Sequence, residues 1–418
     1  MGSTAPHRDR THSLLSAGAL VFISTTILNA GGFAFNAVAS RVLGVTQYGA
    51  LYALVSVYMI AITPIVVFSP VIAKYAAEFH TLHDEGHTRG LLGRLVVVFG
   101  GLAAVYALVG FVYPDPIAAY LHVGRWEVAI VGLCAAVAIL SAAARGVAQG
   151  LHAFRTYSVS VAGEGIARIA FLLLLVPLLT PLTAMIAFGL GLLAGAIAVT
   201  MPLIARFRGV SPLPFTADLR RVFQAVAASG SLAVAMSFIG FIDVVIVKNA
   251  FGESQSGLYS AAAWCGKLVL YLVSFLPPVL IPLVTRRHAL GDGTRATLWA
   301  ALIFIGVISS SGVVALQFFG SNVLHVLVGA GYDGAASMLP KYAAAMALLS
   351  ATNTIGSYGL ATNRVSFALP LFSATLLVII ALFCYHPSLA AVIDVLVAGN
   401  VLMILSTAAP LAWEGSKK

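Results

Sequence analysis

Glu164 and Arg168 stand four residues apart inside an apolar stretch, and Arg145 belongs to a polar stripe, Ser141, Arg145, Gln149 and His152, on the stretch before it. Residues at i and i+4 or i+7 share one helix face. The same spacing joins Lys267, Tyr271 and Ser274, and further on Ser350, Asn353, Ser357 and Arg364. Asn29, Asn36 and Asp243 stand singly in apolar surroundings. Guanidinium and ammonium groups in such a setting offer a cationic cavity to an anionic ligand, best matched by a phosphate or diphosphate. Arg145, Arg168 and Lys267 would carry the charge, with Gln149, Asn36 and Asn353 as polar lining. An isolated intramembrane carboxylate such as Asp243 suits Na⁺ binding or proton exchange. Plainer roles stand beside these: Arg168 as the structural partner of Glu164, Arg145 as an inner-edge topology residue, Asp243 as a hydrogen-bonding group between helices.

The elements that must hold these groups follow from composition. The 418 residues are 60% hydrophobic and only 9% charged, with a mean hydropathy of +1.00. Soluble domains carry about 25% charged residues, so the solvent here is largely lipid. Apolar runs of about 20 residues, the length that spans a bilayer, recur at 14–39, 49–73, 91–113, 127–149, 157–180, 183–205, 223–248, 257–284, 297–319, 337–361, 366–385 and 391–411. The expectation is an all-α polytopic membrane protein of about 12 transmembrane helices. Cys134, Cys265 and Cys384 all fall inside these spans, which argues against disulfides and thiolate metal sites.

Lys and Arg set the orientation. With both ends on one side, that side gathers most of them, from Arg8 and Arg10 through Lys74, Arg89 and Arg94 to Lys417 and Lys418. The opposite side holds Arg41, Arg125, Lys248 and Lys341. Both termini are therefore expected in the cytoplasm of a multi-pass inner-membrane protein. The formal charge of +9 reads as a topology signal, and no soluble basic surface invites nucleic acid.

The chain also repeats itself. Gly44-Val-Thr-Gln-Tyr-Gly49 is answered by Gly252-Glu-Ser-Gln-Ser-Gly257, and Leu51-Tyr52 by Leu258-Tyr259. Pro70-Val71 matches Pro278-Val279, His80 matches His288, and Gly150-Leu151 with Arg155 matches Gly359-Leu360 with Arg364. Constant order and spacing make two six-helix lobes, 1–208 and 209–418, related by an axis along the membrane normal. Such proteins hold substrate between their halves. Pro64 and Pro70 interrupt the second span and Pro277, Pro278 and Pro282 the eighth, a paired interruption that points to moving parts. The charges break the repeat: Arg168 aligns with Leu377, Glu164 with Ser373, and Lys267 with an apolar position near Met59.

Other motifs fail their context. Gly329-Ala-Gly-Tyr-Asp-Gly334 satisfies GxGxxG but follows a membrane helix rather than a strand, and there is no P-loop. His80, His83, Asp84, Glu85 and His87 carry metal-ligand types, yet read as a solvated loop. No cofactor is expected, nor an enzyme, beyond the coupling ion.

Arg41-Val-Leu-Gly44-Val-Thr-Gln-Tyr48-Gly49 resembles the signature of polysaccharide-biosynthesis (O-antigen-type) flippases, in the superfamily that holds multidrug and toxin extruders and lipid II flippases. Asp243…Gly252-xxxx-Gly257-Leu-Tyr259 echoes it in the second half. The resemblance implies a two-lobed bundle that moves a polyprenyl-diphosphate-linked oligosaccharide between leaflets. The diphosphate would meet Arg145, Arg168 or Lys267, and a polysaccharide polymerase or glycosyltransferase would be a partner. Proton-coupled extruders carry an acidic residue in the first helix, where this chain has only Asn29 and Asn36. The competing reading is an ion-coupled small-molecule exporter of the same superfamily. A major-facilitator transporter lacks support in the loop 74–90, and a membrane glycosyltransferase lacks acidic residues at Arg41–Tyr48.

Overall fold

In hydrocarbon a chain satisfies its backbone polar groups only within itself, so long apolar segments become helices. The computed structural model describes residues 5–214, 219–290 and 293–416. Its helices are α1 (Ala5–Ala61), α2 (Thr63–Thr81), α3 (Glu85–Val112), α4 (Pro114–Leu121), α5 (Arg125–Gly150), α6 (Phe154–Leu175), α7 (Pro181–Arg206), α8 (Leu219–Ala250), α9 (Glu253–Gly266), α10 (Leu268–Val273), α11 (Leu276–Ala289), α12 (Arg295–Leu327), α13 (Leu339–Ala361), α14 (Ala368–Cys384) and α15 (Leu389–Ser416). No strand occurs among the described residues. Nine helical runs among them are long and apolar enough to cross a membrane. One is the 64-residue run Gly18–Thr81, which holds the first two expected spans. The span 257–284 is divided among α9, α10 and α11, 337–361 is α13, and 366–385 is the short α14. The chain is an all-α polytopic membrane protein.

Helix breaks explain how the first long run is used. Gly44 sits at φ 70°, ψ 179°, a conformation open to glycine because it has no Cβ, and α1 changes direction there. A second break separates Ala61 from Thr63. Both spans that prolines were expected to interrupt are indeed divided, and Pro64 and Pro277 mark where a helix resumes. Both stand at helix starts, where the missing N–H is not needed. Pro70 and Pro282 do lie inside α2 and α11. Hydroxyls take up carbonyls near the breaks: Thr63 Oγ1 donates to Ile60 O at 2.7 Å and Ser274 Oγ to Tyr271 O at 2.8 Å.

Packing gathers the chain into two compact units. One comprises Met1–Val42, Pro64–Ala119 and Val123–Leu219; the other comprises Leu43–Thr63, Tyr120–His122 and Arg220–Lys418. The segment Leu43–Thr63 thus packs with the second unit although it lies in the first half of the sequence. Its two ends fall at the two breaks just described. In the first unit α7 packs along both α5 and α6, and α3 lies on α5. In the second, α13 is the hub, touching α9, α10, α11, α12 and α15. Its core includes Leu280, Val284, Ala301, Tyr358 and Ala361. Cys134 and Cys265 are buried thiols, Cys384 is exposed, and all three are free.

Candidate functional site

The charged residues singled out by spacing assemble into two clusters, one in each unit. In the first, Ser160, Glu164 and Arg168 follow one face of α6, and Arg145 reaches them from α5. Glu164 lies between two guanidiniums: Arg145 Nη2 donates to Oε2 at 2.8 Å and Arg168 Nη2 to Oε1 at 2.5 Å. Arg145 Nε also donates to Ser160 Oγ at 2.8 Å, and that hydroxyl donates to Gly195 O at 2.6 Å. The Arg168 guanidinium stacks 4.1 Å from the ring centre of Phe188 on α7, a cation–π contact that is stronger out of water.

Glycines of α7 make room for this geometry, Gly191 against Arg168 and Gly195 against Arg145 and Glu164. A Cβ on Gly195 would come 2.6 Å from Arg145 Nη2 and 2.9 Å from Glu164 Cβ, so α7 must offer no side chain here. The side chains of Glu164 and Arg168 are 5% and 9% exposed, and that of Arg145 is 16% exposed. One carboxylate against two guanidiniums leaves a net positive charge in the cluster. Among the described residues Arg168 Nε has no hydrogen-bond partner. The pairing of Arg168 with Glu164, held open by the spacing, is realised; the tie to Arg145 across helices joins it.

The second cluster forms around Asp243 on α8, which is fully buried. Its Oδ2 accepts from Tyr259 OH at 2.8 Å and from Tyr342 OH at 2.9 Å. Asp243 is thus not an isolated carboxylate, and the two tyrosines come from α9 and α13. Its Oδ1 has no hydrogen-bond partner among the described residues. Lys267, between α9 and α10, is 1% exposed. Its Nζ donates to Tyr52 OH at 3.1 Å and lies 4.2 Å from the ring centre of Phe241 and 6.0 Å from that of Tyr342. A lysine expected to face substrate is instead enclosed by aromatic rings beside Asp243.

The other expected residues stand on α1, α5 and α13. Gln149 is exposed, and Asn353 is half-buried on α13. Asn36 is half-buried and donates to Gly32 O of its own helix at 2.9 Å. Asp394 pairs with Lys341, and Asn400 Nδ2 donates to Ala345 O at 3.1 Å, so neither joins Asp243 in these contacts. Arg364 donates to Leu411 O at 3.2 Å. Phe241, Tyr52, Tyr259 and Tyr342 were missed as site residues, although the repeat had already paired Tyr52 with Tyr259.

The histidine-rich loop has a different use. Asp84 Oδ1 accepts from His87 N at 2.9 Å, capping α3, and its other oxygen meets His87 Nδ1 at 2.5 Å. These hydrogen bonds hold the Asp84 carboxyl below its usual range. His80, His83, Asp84 and Glu85 help line a cavity of about 130 Å³ with Arg206 and Phe207. Among the described residues no three His, Cys, Asp or Glu side chains are grouped to hold a metal ion.

With this geometry in place, comparison with known proteins is informative about the fold. No family model matches the chain, and no curated protein sequence matches it. Solved structures do. A multidrug resistance MATE family transporter of the MOP superfamily, in an inward-facing conformation, superposes with a TM-score of 0.78 at 11% identity, covering 94% of each chain. The chain has the fold of MATE transporters. The lipid II flippase MurJ matches at TM-score 0.68 and 12% identity over 96% of this chain and 87% of the other. A eukaryotic MATE transporter matches at 0.63 and 14% over 95% of both. The same fold therefore serves proteins named for multidrug resistance and one named for flipping a lipid.

Proposed function

We propose that this protein is a membrane transporter that flips a polyprenyl-diphosphate-linked oligosaccharide across the cytoplasmic membrane, for polysaccharide or cell-envelope glycan synthesis. The Arg145–Glu164–Arg168 cluster carries the reading: it keeps a positive charge in excess where hydrocarbon makes charge costly, about 2.5–3.5 kcal/mol per group on insertion scales. Such a cluster suits a diphosphate better than an organic cation. Arg145, the more exposed of the pair, would make first contact, and Arg168 offers its unpartnered Nε–H. Asn36 and Asn353 are proposed for the sugars, with Gln149 at the rim. Flipping such a head group through bare lipid is prohibitive, and a polar path lowers that cost.

Asp243 is proposed as the coupling group, taking up an ion whose gradient drives the cycle. Both termini would lie in the cytoplasm, by the distribution of Lys and Arg, with a polymerase or glycosyltransferase as neighbour.

The fold also supports a second reading, since the multidrug MATE transporter superposes best of the three described. On that reading the cargo is a small organic molecule. Native mass spectrometry of the purified protein distinguishes them. A co-purifying polyprenyl-diphosphate glycan, lost in Arg145→Ala and Arg168→Ala, supports the flippase. Bulk phospholipid alone, with added organic cations bound, favours the exporter.

A further inference from the structure

Outside both charged clusters, the ends of α2, α5 and α7 and the start of α3 enclose the cavity of about 130 Å³ described above. Its walls differ in character. Phe79, Leu151 and Phe207 form an apolar side, and His80, His83 and Arg206 a basic one. Pockets that take drug-sized molecules run to about 300–1,000 Å³, so this one admits a small group. Of the two carboxylates in the lining, Asp84 has both oxygens engaged by His87, and Glu85 is exposed. His80 interacts electrostatically with Arg206, His152 and His83, each of them a base.

The second observation lies in the backbone. His83 and His152 follow the last turns of α2 and α5 at φ 54° and φ 56°. Asp84 N donates to Phe79 O and Ala153 N to Ala148 O, each at 2.9 Å, which closes both helix ends. Glycine ends helices in this way at the lowest cost. Histidine tolerates the conformation better than most residues, and here it is used twice with the rings converging. His83 lines the cavity, and His152 packs edge-on to His80 at 5.5 Å. Basic side chains near helix C-termini also complement the helix dipole, often by bonding the last carbonyls. Among the described residues no side-chain hydrogen bond ties His80, His83 or Arg206 to a carbonyl, so their donors remain for a ligand.

We propose that this cavity binds a phosphate group, with the Arg206 guanidinium taking two of its oxygens and the His80 and His83 imidazoles donating beside it. The planar guanidinium fork matches phosphate geometry, and each imidazole supplies an N–H donor. The site is independent of the cargo reading, since none of its residues belongs to either charged cluster. A ligand here would tie the α2–α3 turn to the end of α7. The chain leaving α7 already returns to that turn, where Leu213 N donates to Gly86 O at 3.0 Å. A bound phosphate would fasten it at a second point. Inorganic phosphate and the head group of a lipid such as phosphatidic acid present the same chemistry.

Isothermal titration calorimetry of the full-length protein in detergent, with inorganic phosphate at constant ionic strength, tests this. The wild type should show saturable binding, weakened about tenfold or more in Arg206→Gln and in His83→Gly. The glycine variant removes the imidazole while giving the left-handed position the residue it favours, so its thermal midpoint should not fall. Arg208→Gln changes an exposed arginine outside the lining and should bind as the wild type does. Short-chain phosphatidic acid separates the sources. Tighter binding than inorganic phosphate, with the same losses in the variants, marks a lipid head group, and equal or weaker binding marks soluble phosphate. No saturable binding of either probe overturns the proposal. So does binding that survives both lining variants, or that falls equally in Arg208→Gln.

Discussion

Tyr52 and Tyr259 occupy matching positions of the internal repeat yet serve opposite charges. Tyr52 OH accepts from the Lys267 ammonium at 3.1 Å, while Tyr259 OH donates to the Asp243 carboxylate at 2.8 Å. A phenol can do either, since it carries one donor and acceptor lone pairs. The two hydroxyls do different work because an ammonium stands beside one and a carboxylate beside the other.

Removing one hydroxyl should therefore have a readable cost. Tyr259→Phe takes one of two donors from a buried carboxylate, and hydrogen bonds to charged groups contribute about 1.5–3 kcal/mol. Thermal unfolding in detergent should show that loss. Tyr342→Phe should match it, and the double variant should lose more than either. An unchanged midpoint in both singles would mean the carboxylate finds other donors.

Glu164 is the keystone of the first cluster. Glu164→Gln leaves two guanidiniums buried without their carboxylate, and breaking such a group costs about 3–5 kcal/mol. Removing Arg145 as well should recover part of that loss, which a double-mutant cycle measures. A purely additive result would show that the two residues do not act as one network.

Gly195→Ala should act on the same cluster without touching a charge. The added methyl meets Arg145 Nη2 and Glu164 Cβ, and overpacking costs about 1–3 kcal/mol. Glycolipid retention, if the flippase reading holds, should fall in this variant more than in Gly100→Ala, where a Cβ meets nothing within 4 Å.

The cap at Asp84 predicts a pH effect. Its carboxyl titrates below the usual range when folded, so its contribution to stability is present at neutral pH and is lost as pH falls through that depressed value. The stability gap between wild type and Asp84→Ala should stay constant near neutrality and close in strong acid. A gap that widens on acidification would contradict the assignment.

Much of this was legible before any coordinates. Lipid leaves helices as the way to place long apolar runs, so the spans and the all-α fold follow from hydropathy alone. Glu164 and Arg168 could be paired because i, i+4 spacing is local. Arg145 could not be tied to them: 19 residues and a helix turn separate it from Glu164. Tyr342 stands 99 residues from Asp243, and no periodicity links them. Gln149 shares the register of Arg145 yet is exposed, because a helical stripe drifts around its helix and only part of it meets a neighbour. The prolines marked the interrupted helices, while the breaks themselves fell a few residues earlier, where the ring allows a helix to begin.

Gly49 and Gly257 are also matching positions, and they touch: a Cβ on Gly49 would come 2.8 Å from the Gly257 Cα. Neither position can take a side chain while the two backbones cross this closely, since a Cβ on Gly257 would in turn come 2.0 Å from Val45 O. One residue earlier the constraint is gone: Tyr48 packs edge-on to Tyr332, while Ser256 turns back to donate to Glu253 O at 2.9 Å.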